Sequence, residues 1–125
     1  MSDTSSNNRD LSDILERMAN SNEFHGDQPI GVNEQGILGN TPLHIAAVSG
    51  DVRVGKLLLD AGADPNVHGE YGNTPLHEAV GQKHYEFVKL LLEHGASKAL
   101  QNEDGLTPVD WVNMSDDSRL KDILC

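Results

Sequence analysis

The sequence predicts an all-α solenoid of stacked helix-turn-helix units with projecting β-hairpin-like fingers. The first observation is repetition, because GNTPLH occurs at 39–44 and again at 72–77. Residues 34–66 and 67–99 are identical at 14 of 33 positions without a gap, and a third TP pair follows in register at 107–108. The second observation is that aromatic residues make up only 4% of the 125 residues, which suits helices built from Leu, Val and Ala. A fixed period of this length is typical of stacked supersecondary units.

Each full unit carries signals for two helices. Thr41 and Thr74 are good N-cap residues, and the proline after each one suits the first helical position, where no N–H is needed. Second helices are predicted in VRVGKLLLDAG and YEFVKLLLEHG, where leucines recur at helical spacing. Gly62 and Gly95 then fall where a left-handed C-terminal cap is expected. The Gly- and Asn-containing segments before the first helices predict three fingers, called fingers 1, 2 and 3 below: residues 34–40, 67–73 and 100–106.

The two ends of the chain depart from the repeat. RDLSDILERMAN has its apolar residues on one helical face, so we expect 9–33 to be a degenerate N-terminal capping unit whose first helix covers 9–19. Residues 1–8 are predicted to be disordered, and the segment after the helix to be a loop or a distorted short helix. Residues 100–125 are predicted to form a C-terminal capping unit, in which TPVDWV replaces TPLHxA and the chain stops within the second helix.

Two copies of one phrase carry a family resemblance. TPLHIA at 41–46 and TPLHEA at 74–79, together with LLLDAGADPN and the 33-residue period, resemble the ankyrin repeat. The resemblance covers residues 34–125, roughly three-quarters of the chain. It implies an L-shaped stack of helix pairs, with the fingers and first helices lining a concave face and the second helices forming the convex back. It also implies a scaffold that binds proteins and is rarely catalytic.

The six histidines raise the question of chemistry. His44 and His77 belong to the TPLH phrase, where we expect the imidazole to bond neighbouring backbone and to tie a finger to its helix. HEAVG lacks the second histidine of a zinc-protease helix, and the sequence has no Cys cluster and no phosphate-binding glycine loop. A Ser–His–Asp arrangement stays open as an alternative, although no strained nucleophile turn is visible. We therefore predict no catalytic residue, no metal site and no cofactor.

Composition limits the classes of partner and the cellular compartments that we expect for this chain. A net charge of −11 argues against non-specific binding to nucleic acid or anionic lipid and favours a basic or neutral partner. The single cysteine, Cys125, cannot form an intramolecular disulfide, which fits a reducing compartment. The sequence shows neither a secretory signal nor an apolar run that could span a membrane. We expect a cytoplasmic protein, or alternatively a nuclear one, that is a monomer when free.

Charge is segregated within the repeats. The fingers and first helices contain no Lys or Arg, whereas each Lys or Arg of the stack lies in a second helix or a turn. The predicted concave face is therefore acidic, and the aromatic and apolar groups interleaved with the acids are typical of a binding patch. Incidental segregation in an acidic protein is the alternative. We predict these partner-binding residues: Ile37, Leu38, Asn40, Ser49, Glu70, Tyr71, Asn73, Glu78, Gln82, Glu103, Asp104, Leu106, Asp110 and Trp111.

Some of these residues have a second interpretation. Trp111 could be a packing residue against the C-terminal helix, and Ile37 and Leu38 could pack against the N-terminal helix. Asn66 resembles the ankyrin loop asparagine that some oxygenases hydroxylate, and intact-mass analysis of native material would test that idea.

The leading functional hypothesis is an adaptor or inhibitor that binds a basic protein surface or peptide in an acidic concave groove. TPLHEA is also similar to the phrase in ankyrin modules that read a basic histone tail, but those modules carry Trp where this chain has Asn73. The alternative is a permanent subunit or assembly factor of a larger complex, held by a mainly apolar interface. Salt separates the two, because only an electrostatically steered groove loses association rate steeply as ionic strength rises.

Overall fold

A computed structural model describes residues 3–21, 23–24 and 30–125 of the chain. The described residues form α-helices and one short 3₁₀ turn and contain no β-strand, so the all-α repeat solenoid is confirmed. The β-hairpin form expected for the fingers is not confirmed. The helices are α1 (Asp3–Ala19), α2 (Pro42–Ser49), α3 (Val52–Asp60), α4 (Pro75–Gly81), α5 (Tyr85–Glu93), α6 (Pro108–Met114) and α7 (Ser118–Leu124).

The helices pack in two rows. The first helices α2, α4 and α6 contact one another in sequence and form the inner row, while α3, α5 and α7 form the outer row. Each first helix also packs against the second helix of its own unit. One continuous core fills the space between the rows, with fully buried leucines such as Leu43 and Leu76 from the inner row and Leu58 and Leu91 from the outer row. Burying each such side chain stabilises the fold by about 1.5–3 kcal/mol.

The three inner helices begin in the same way. In each unit the threonine of the TP pair is the N-cap, and its hydroxyl accepts the backbone N–H of the residue three positions later. The side chain of that third residue bonds back to the N-cap backbone, which completes a capping box. The capping signals predicted from the sequence are therefore confirmed, and they fix where each inner helix starts.

Close approach between the outer helices depends on one glycine. Gly55 is buried within α3, and a Cβ added there would lie 2.6 Å from the ring of Phe87 on α5. Phe87 is fully buried, so its ring has no space into which it could move. The bare backbone of α3 therefore supplies the space that the largest core side chain of the next repeat fills.

The turn between the two helices of a unit needs a left-handed residue. Gly50 has a φ of 76° between α2 and α3, and Lys83 has a φ of 60° at the equivalent position between α4 and α5. A non-glycine residue in this region is strained because its Cβ crowds the backbone. The second repeat therefore forms this turn with a left-handed residue as the first does, although Lys83 stands where the first repeat has Gly50.

The N-terminal helix starts earlier than expected. α1 begins at Asp3, so the structure places residues 3–8 in a helix rather than in a disordered segment. Extending an existing helix adds one hydrogen bond for each residue fixed, which makes such an extension inexpensive once the packed part has formed. The remainder of the expected disordered segment, residues 1–2, lies outside the described residues.

The position of α1 in the stack also differs from the expectation. α1 packs against α3, and Arg53 of α3 pairs with Asp10 of α1. α1 therefore extends the outer row of second helices, instead of serving as a first helix. Two described residues after α1, the buried Phe24 and Ile30, pack with Ile45 of α2 and so contact the inner row. The described residues between 20 and 33 form turns and loop, while 22 and 25–29 lie outside the described residues.

Candidate functional site

The three fingers share one tight turn at their tips. In each, a backbone N–H bonds the carbonyl oxygen four residues later, and the residue before that carbonyl donates its N–H back to the first residue. The first bond measures 2.8 Å in 36–40 and in 69–73, and 2.9 Å in 102–106. The hairpin-like appearance is therefore confined to a closed turn with two residues at its apex. Both are exposed in fingers 1 and 3, and in finger 2 Tyr71 is exposed while Glu70 is half-exposed.

Fingers 2 and 3 are each fixed to the finger before them. The N–H of Glu70 donates to the side-chain oxygen of Asn40 at 3.0 Å. One repeat later, the N–H of Glu103 donates to the backbone oxygen of Tyr71, also at 3.0 Å. The buried Asn73 side chain additionally accepts the Asn102 amide at 3.0 Å. Because these bonds join neighbouring repeats, the fingers form one ordered row.

No finger precedes finger 1 in the part of the chain that the structure describes, and Glu23 makes the equivalent bonds. The carboxylate of Glu23 accepts the N–H groups of Leu38 and Asn40 at 2.8 and 3.2 Å, and its backbone oxygen accepts the N–H of Ile37 at 2.9 Å. Sequence reasoning missed this residue, because Glu23 lies outside the repeat and no periodic signal points to it. The acid is therefore used in holding finger 1.

The histidines of the TPLH phrase connect neighbouring repeats. The Nδ1 atom of His44 accepts the backbone N–H of Thr41 at 3.0 Å, so Nε2 carries the proton and donates to the oxygen of Asn73 at 2.9 Å. His77 repeats the arrangement and donates to the oxygen of Leu106 at 2.8 Å. The predicted backbone bonding of these imidazoles is confirmed, and its second half reaches the finger of the next repeat.

Both histidines are held neutral. Burial lowers the pKa of His44 below its usual value of 6.5, although the bond to Asn73 and the charge of Glu23 act in the opposite direction. Burial also lowers the pKa of His77, against the bond to Leu106. A neutral imidazole with one nitrogen donating and the other accepting has no free nitrogen for proton transfer or metal binding. These two residues are therefore structural.

The C-terminal unit has an aspartate at the same position. Asp110 accepts the backbone N–H of Thr107 at 2.9 Å, and its own N–H donates to the Thr107 hydroxyl at 3.1 Å. No later finger follows within the described residues, so a short side chain that caps its own helix is sufficient. Asp110 is half-buried, and its carboxylate is already engaged by this cap.

Two asparagines join the loops after the outer helices. Asn33 bonds two backbone groups of the loop after α3 at 3.1 and 2.7 Å, and Asn66 bonds the equivalent groups after α5 at 3.3 and 2.8 Å. Sequence reasoning assigned neither this role, although two asparagines exactly one period apart are a visible signal. The suggested hydroxylation of Asn66 stays a prediction.

Acidic side chains lie along the inner surface, which we define as the three fingers with α2, α4 and α6. Glu103 and Asp104 are exposed at the tip of finger 3, and Glu70 is half-exposed in finger 2. Glu78 on α4 is partly buried, and this burial raises its pKa; the charge of Glu70 acts in the same direction, and the side chain of Asn73 opposes both. A carboxylate whose charge is disfavoured in this way is stabilised by any cation brought beside it.

Apolar side chains occupy the tips of the first two fingers. Ile37 is 61% exposed, Leu38 is 52% exposed and Tyr71 is 68% exposed. The alternative in which Ile37 and Leu38 pack against the N-terminal helix is therefore wrong. Tyr71 also has a φ of 59°, in the left-handed region where a non-glycine residue is strained.

Trp111 is half-buried and packs against α4. Its ring meets the imidazole of His77 edge to face, with 5.1 Å between the ring centroids and an interplanar angle of 77°. The ring also lies over Gly81, where an added Cβ would be 3.2 Å away. The packing is with the preceding repeat, so Trp111 contributes to the core and also to the inner surface.

The structure divides the predicted binding residues by exposure. Those that are exposed and could be contacted directly are Ile37, Leu38, Ser49, Tyr71, Gln82, Glu103 and Asp104. Those that are buried or half-buried, several of them engaged in the bonds described above, are Asn40, Glu70, Asn73, Glu78, Leu106, Asp110 and Trp111. Contact of either group with a partner stays a prediction.

The ion pairs lie elsewhere. Those formed by the described residues join side chains on α1, α3 and α5 or just after α5, in the outer row. In the same part of the chain, no group of three or more His, Cys, Asp or Glu residues could hold a metal ion. No described helix combines the length and apolar character needed to cross a membrane.

Two comparisons with known proteins bear on this architecture. The family model described as Ankyrin repeats matches residues 4–108 in three copies, which is most of the chain. The comparison with curated proteins finds no match.

Proposed function

We propose that this chain, which belongs to the ankyrin-repeat family, is a non-catalytic adaptor or inhibitor that binds a basic protein surface or peptide through its inner surface. Proteins of this family are generally protein–protein interaction modules. The partner would be another protein in the cytoplasm or nucleus, and the free module would be a monomer.

The observation that carries this proposal is the separation of charge between the two rows. The fingers and inner helices contain no Lys or Arg, and the ion pairs of the described residues lie in the outer row. The acids of the inner surface are therefore not neutralised by basic side chains of the same surface. Like-signed charges on one face steer an oppositely charged partner towards it and raise the association rate.

Exposed apolar groups on the same surface support a binding role. Tyr71 lies beside the acids of fingers 2 and 3, and Ile37 and Leu38 continue the row of finger tips. Apolar and aromatic contacts supply most of the binding energy at protein interfaces, while surrounding charges set the specificity and the association rate. A non-catalytic role agrees with the use of His44 and His77 in structural bonds.

The test is affinity capture from native lysate at two salt concentrations. Electrostatic attraction is weakly screened at about 50 mM salt and strongly screened at about 500 mM. A variant with Glu70→Lys, Glu103→Lys and Asp104→Lys reverses one half-exposed and two exposed charges of the fingers and leaves the cap at Asp110 intact. We expect a basic partner that is retained at low salt, released at high salt and not captured by the variant.

A matched control reverses three acids of the outer row. Glu86→Lys, Glu93→Lys and Asp122→Lys change the net charge by the same amount at exposed positions of α5 and α7. Loss of the partner with the finger variant alone supports the inner surface. Equal loss with both variants would instead mean that total charge decides binding, and the proposal would fail.

The second candidate is a permanent subunit or assembly factor of a larger complex. The exposure of Ile37, Leu38 and Met114 favours it, because apolar side chains left in water are typical of a surface that a partner covers. A partner that survives both high salt and charge reversal would establish this alternative.

A further inference from the structure

The tips of the three fingers differ in chemistry at equivalent positions. The two apex residues are Ile37 and Leu38 in finger 1, and Glu70 and Tyr71 in finger 2. In finger 3 they are Glu103 and Asp104. The row therefore changes from apolar through mixed to acidic in the direction of the chain. The two closing hydrogen bonds recur in all three fingers, and among the apex residues Tyr71 differs in having a positive φ. The gradient in chemistry lies in the apex side chains.

The row is built as a fixed surface. Glu23, Asn40 and Tyr71 each accept an apex N–H of the finger that follows them, and His44 and His77 anchor the far side of fingers 2 and 3. A binding surface that is already ordered does not lose conformational entropy when a partner arrives. The fixed order of apolar and acidic tips along the row therefore favours one orientation of a bound partner.

We propose that the occupant of this row is an extended protein segment with apolar side chains at one end and Lys or Arg at the other. Its apolar end lies on fingers 1 and 2, and its basic end lies on finger 3. This inference rests on the proposed function and adds to it the order and spacing of the partner's groups. The exposed apolar tips and the exposed acids supply the complementarity for each end.

The spacing follows from the repeat. Neighbouring helices pack about 8–10 Å apart, so fingers 1 and 3 are separated by roughly 20 Å. An extended chain advances about 3.3 Å per residue, so about six residues separate the apolar and basic ends. A segment with a much shorter separation cannot contact both ends of the row at once.

The test uses three synthetic peptides and calorimetric titration at low salt. The first has two leucines, a spacer of five serines and three lysines; the second has the same composition with leucines and lysines alternating; the third has the leucines replaced by serine. We expect the first peptide to bind about tenfold more tightly than the other two, since partial burial of two leucines supplies the corresponding 1.4 kcal/mol.

Two variants locate the two ends. Ile37→Ser with Leu38→Ser should abolish the tenfold preference for the first peptide and leave the affinity for the leucine-free peptide unchanged. Glu103→Gln with Asp104→Asn should weaken all three peptides and reduce their salt dependence, while the tenfold preference remains. Val52→Ser, at an exposed apolar position of the outer row, is the control and should change neither. Each position is exposed, and helical content measured by circular dichroism confirms the fold.

The outcomes separate this inference from the proposed function. If all three peptides bind equally and lose affinity with salt and with the finger 3 variant, the acidic surface stands and the ordered segment is wrong. If the preference survives the finger 1 variant, the apolar end lies elsewhere and the inference is also wrong. If no lysine-containing peptide binds at low salt, the inference and the proposed function both fail.

Discussion

The interior repeats and the C-terminal unit complete the capping box of the first helix with different side chains. His44 and His77 each cap their own helix and also donate to the finger of the next repeat. Asp110 caps its own helix and makes no bond to a further repeat. The difference shows that one position in the TPLH phrase serves two purposes. The imidazole is required only where another repeat follows, and a carboxylate is enough where the described stack ends.

The largest expected effect comes from removing the bond between repeats. His77→Ala leaves the part-buried oxygen of Leu106 and the buried N–H of Thr74 without their partners, and each such loss costs about 1–3 kcal/mol. We expect a loss of about 3 kcal/mol in the free energy of unfolding, measured by urea denaturation. Asp110→Ala removes only a cap and should cost about 1 kcal/mol. Equal losses would show that the bond between repeats contributes nothing beyond the cap.

Acid should lower the free energy of unfolding through the two buried histidines of the interior repeats. The pKa values of His44 and His77 are lowered in the folded protein, so below the usual value of 6.5 the unfolded chain binds protons that the folded chain does not. The contribution of the two neutral histidines to the free energy of unfolding is therefore fully present above this pH and is lost as the pH decreases below it. The loss per histidine should be smaller than that of His77→Ala, because a charged imidazole can leave its site. Urea denaturation between pH 7.5 and 5.5 tests this, and a double variant with His44→Asn and His77→Asn should show a smaller pH dependence if the two sites are its source.

A smaller effect distinguishes the two interior repeats from each other. Lys83→Gly removes the strain of a left-handed residue and should raise the free energy of unfolding by about 1 kcal/mol. The reciprocal change, Gly50→Ala, introduces the same strain and places a Cβ 2.6 Å from the ring of His84, so it should destabilise by more than that amount. Thermal and urea denaturation of the pair provide the measurement. A destabilising Lys83→Gly would mean that the lysine side chain outweighs its backbone strain.

The smallest expected effect links strain to binding. Tyr71→Asn places a residue that tolerates the left-handed region at the tip of finger 2 and should stabilise the fold by about 0.5 kcal/mol. The same substitution removes an exposed aromatic ring and should weaken capture of the partner. Opposite changes in stability and binding would identify Tyr71 as a residue held in strain for contact. Improved stability with unchanged binding would exclude Tyr71 from the interface.

Local signals in the sequence predicted much of this architecture. The cap at Thr41, the left-handed Gly62 and the bond from the Thr41 N–H to His44 each depend on residues close in sequence. The row to which α1 belongs was not predictable in this way, because an amphipathic pattern identifies the buried face of a helix and not the helix that covers it. The role of Glu23 was also not predictable, because Glu23 lies outside the repeat and bonds finger 1 from a position that no period indicates.

The exposure of the candidate site was only partly predictable. Asn40 and Asn73 lie in fingers, where contact with a partner was expected, yet their side chains hold neighbouring fingers together. Ile37 and Leu38 show the opposite difference. Packing against the N-terminal helix was an alternative for both residues, and both are exposed. Finger geometry decides both cases, and it depends on bonds between repeats that the sequence of one repeat does not show.

Trp111 has a practical consequence for studying this protein. It is the single tryptophan of the chain, it lies on the inner surface, and its ring touches the imidazole of His77. Its fluorescence therefore originates from one known place in the stack. Emission should shift when a partner excludes water from the inner surface, and should be quenched when His77 gains a proton. One optical signal, without any attached dye, can thus report both binding of a partner at the inner surface and weakening of the contact between α4 and α6.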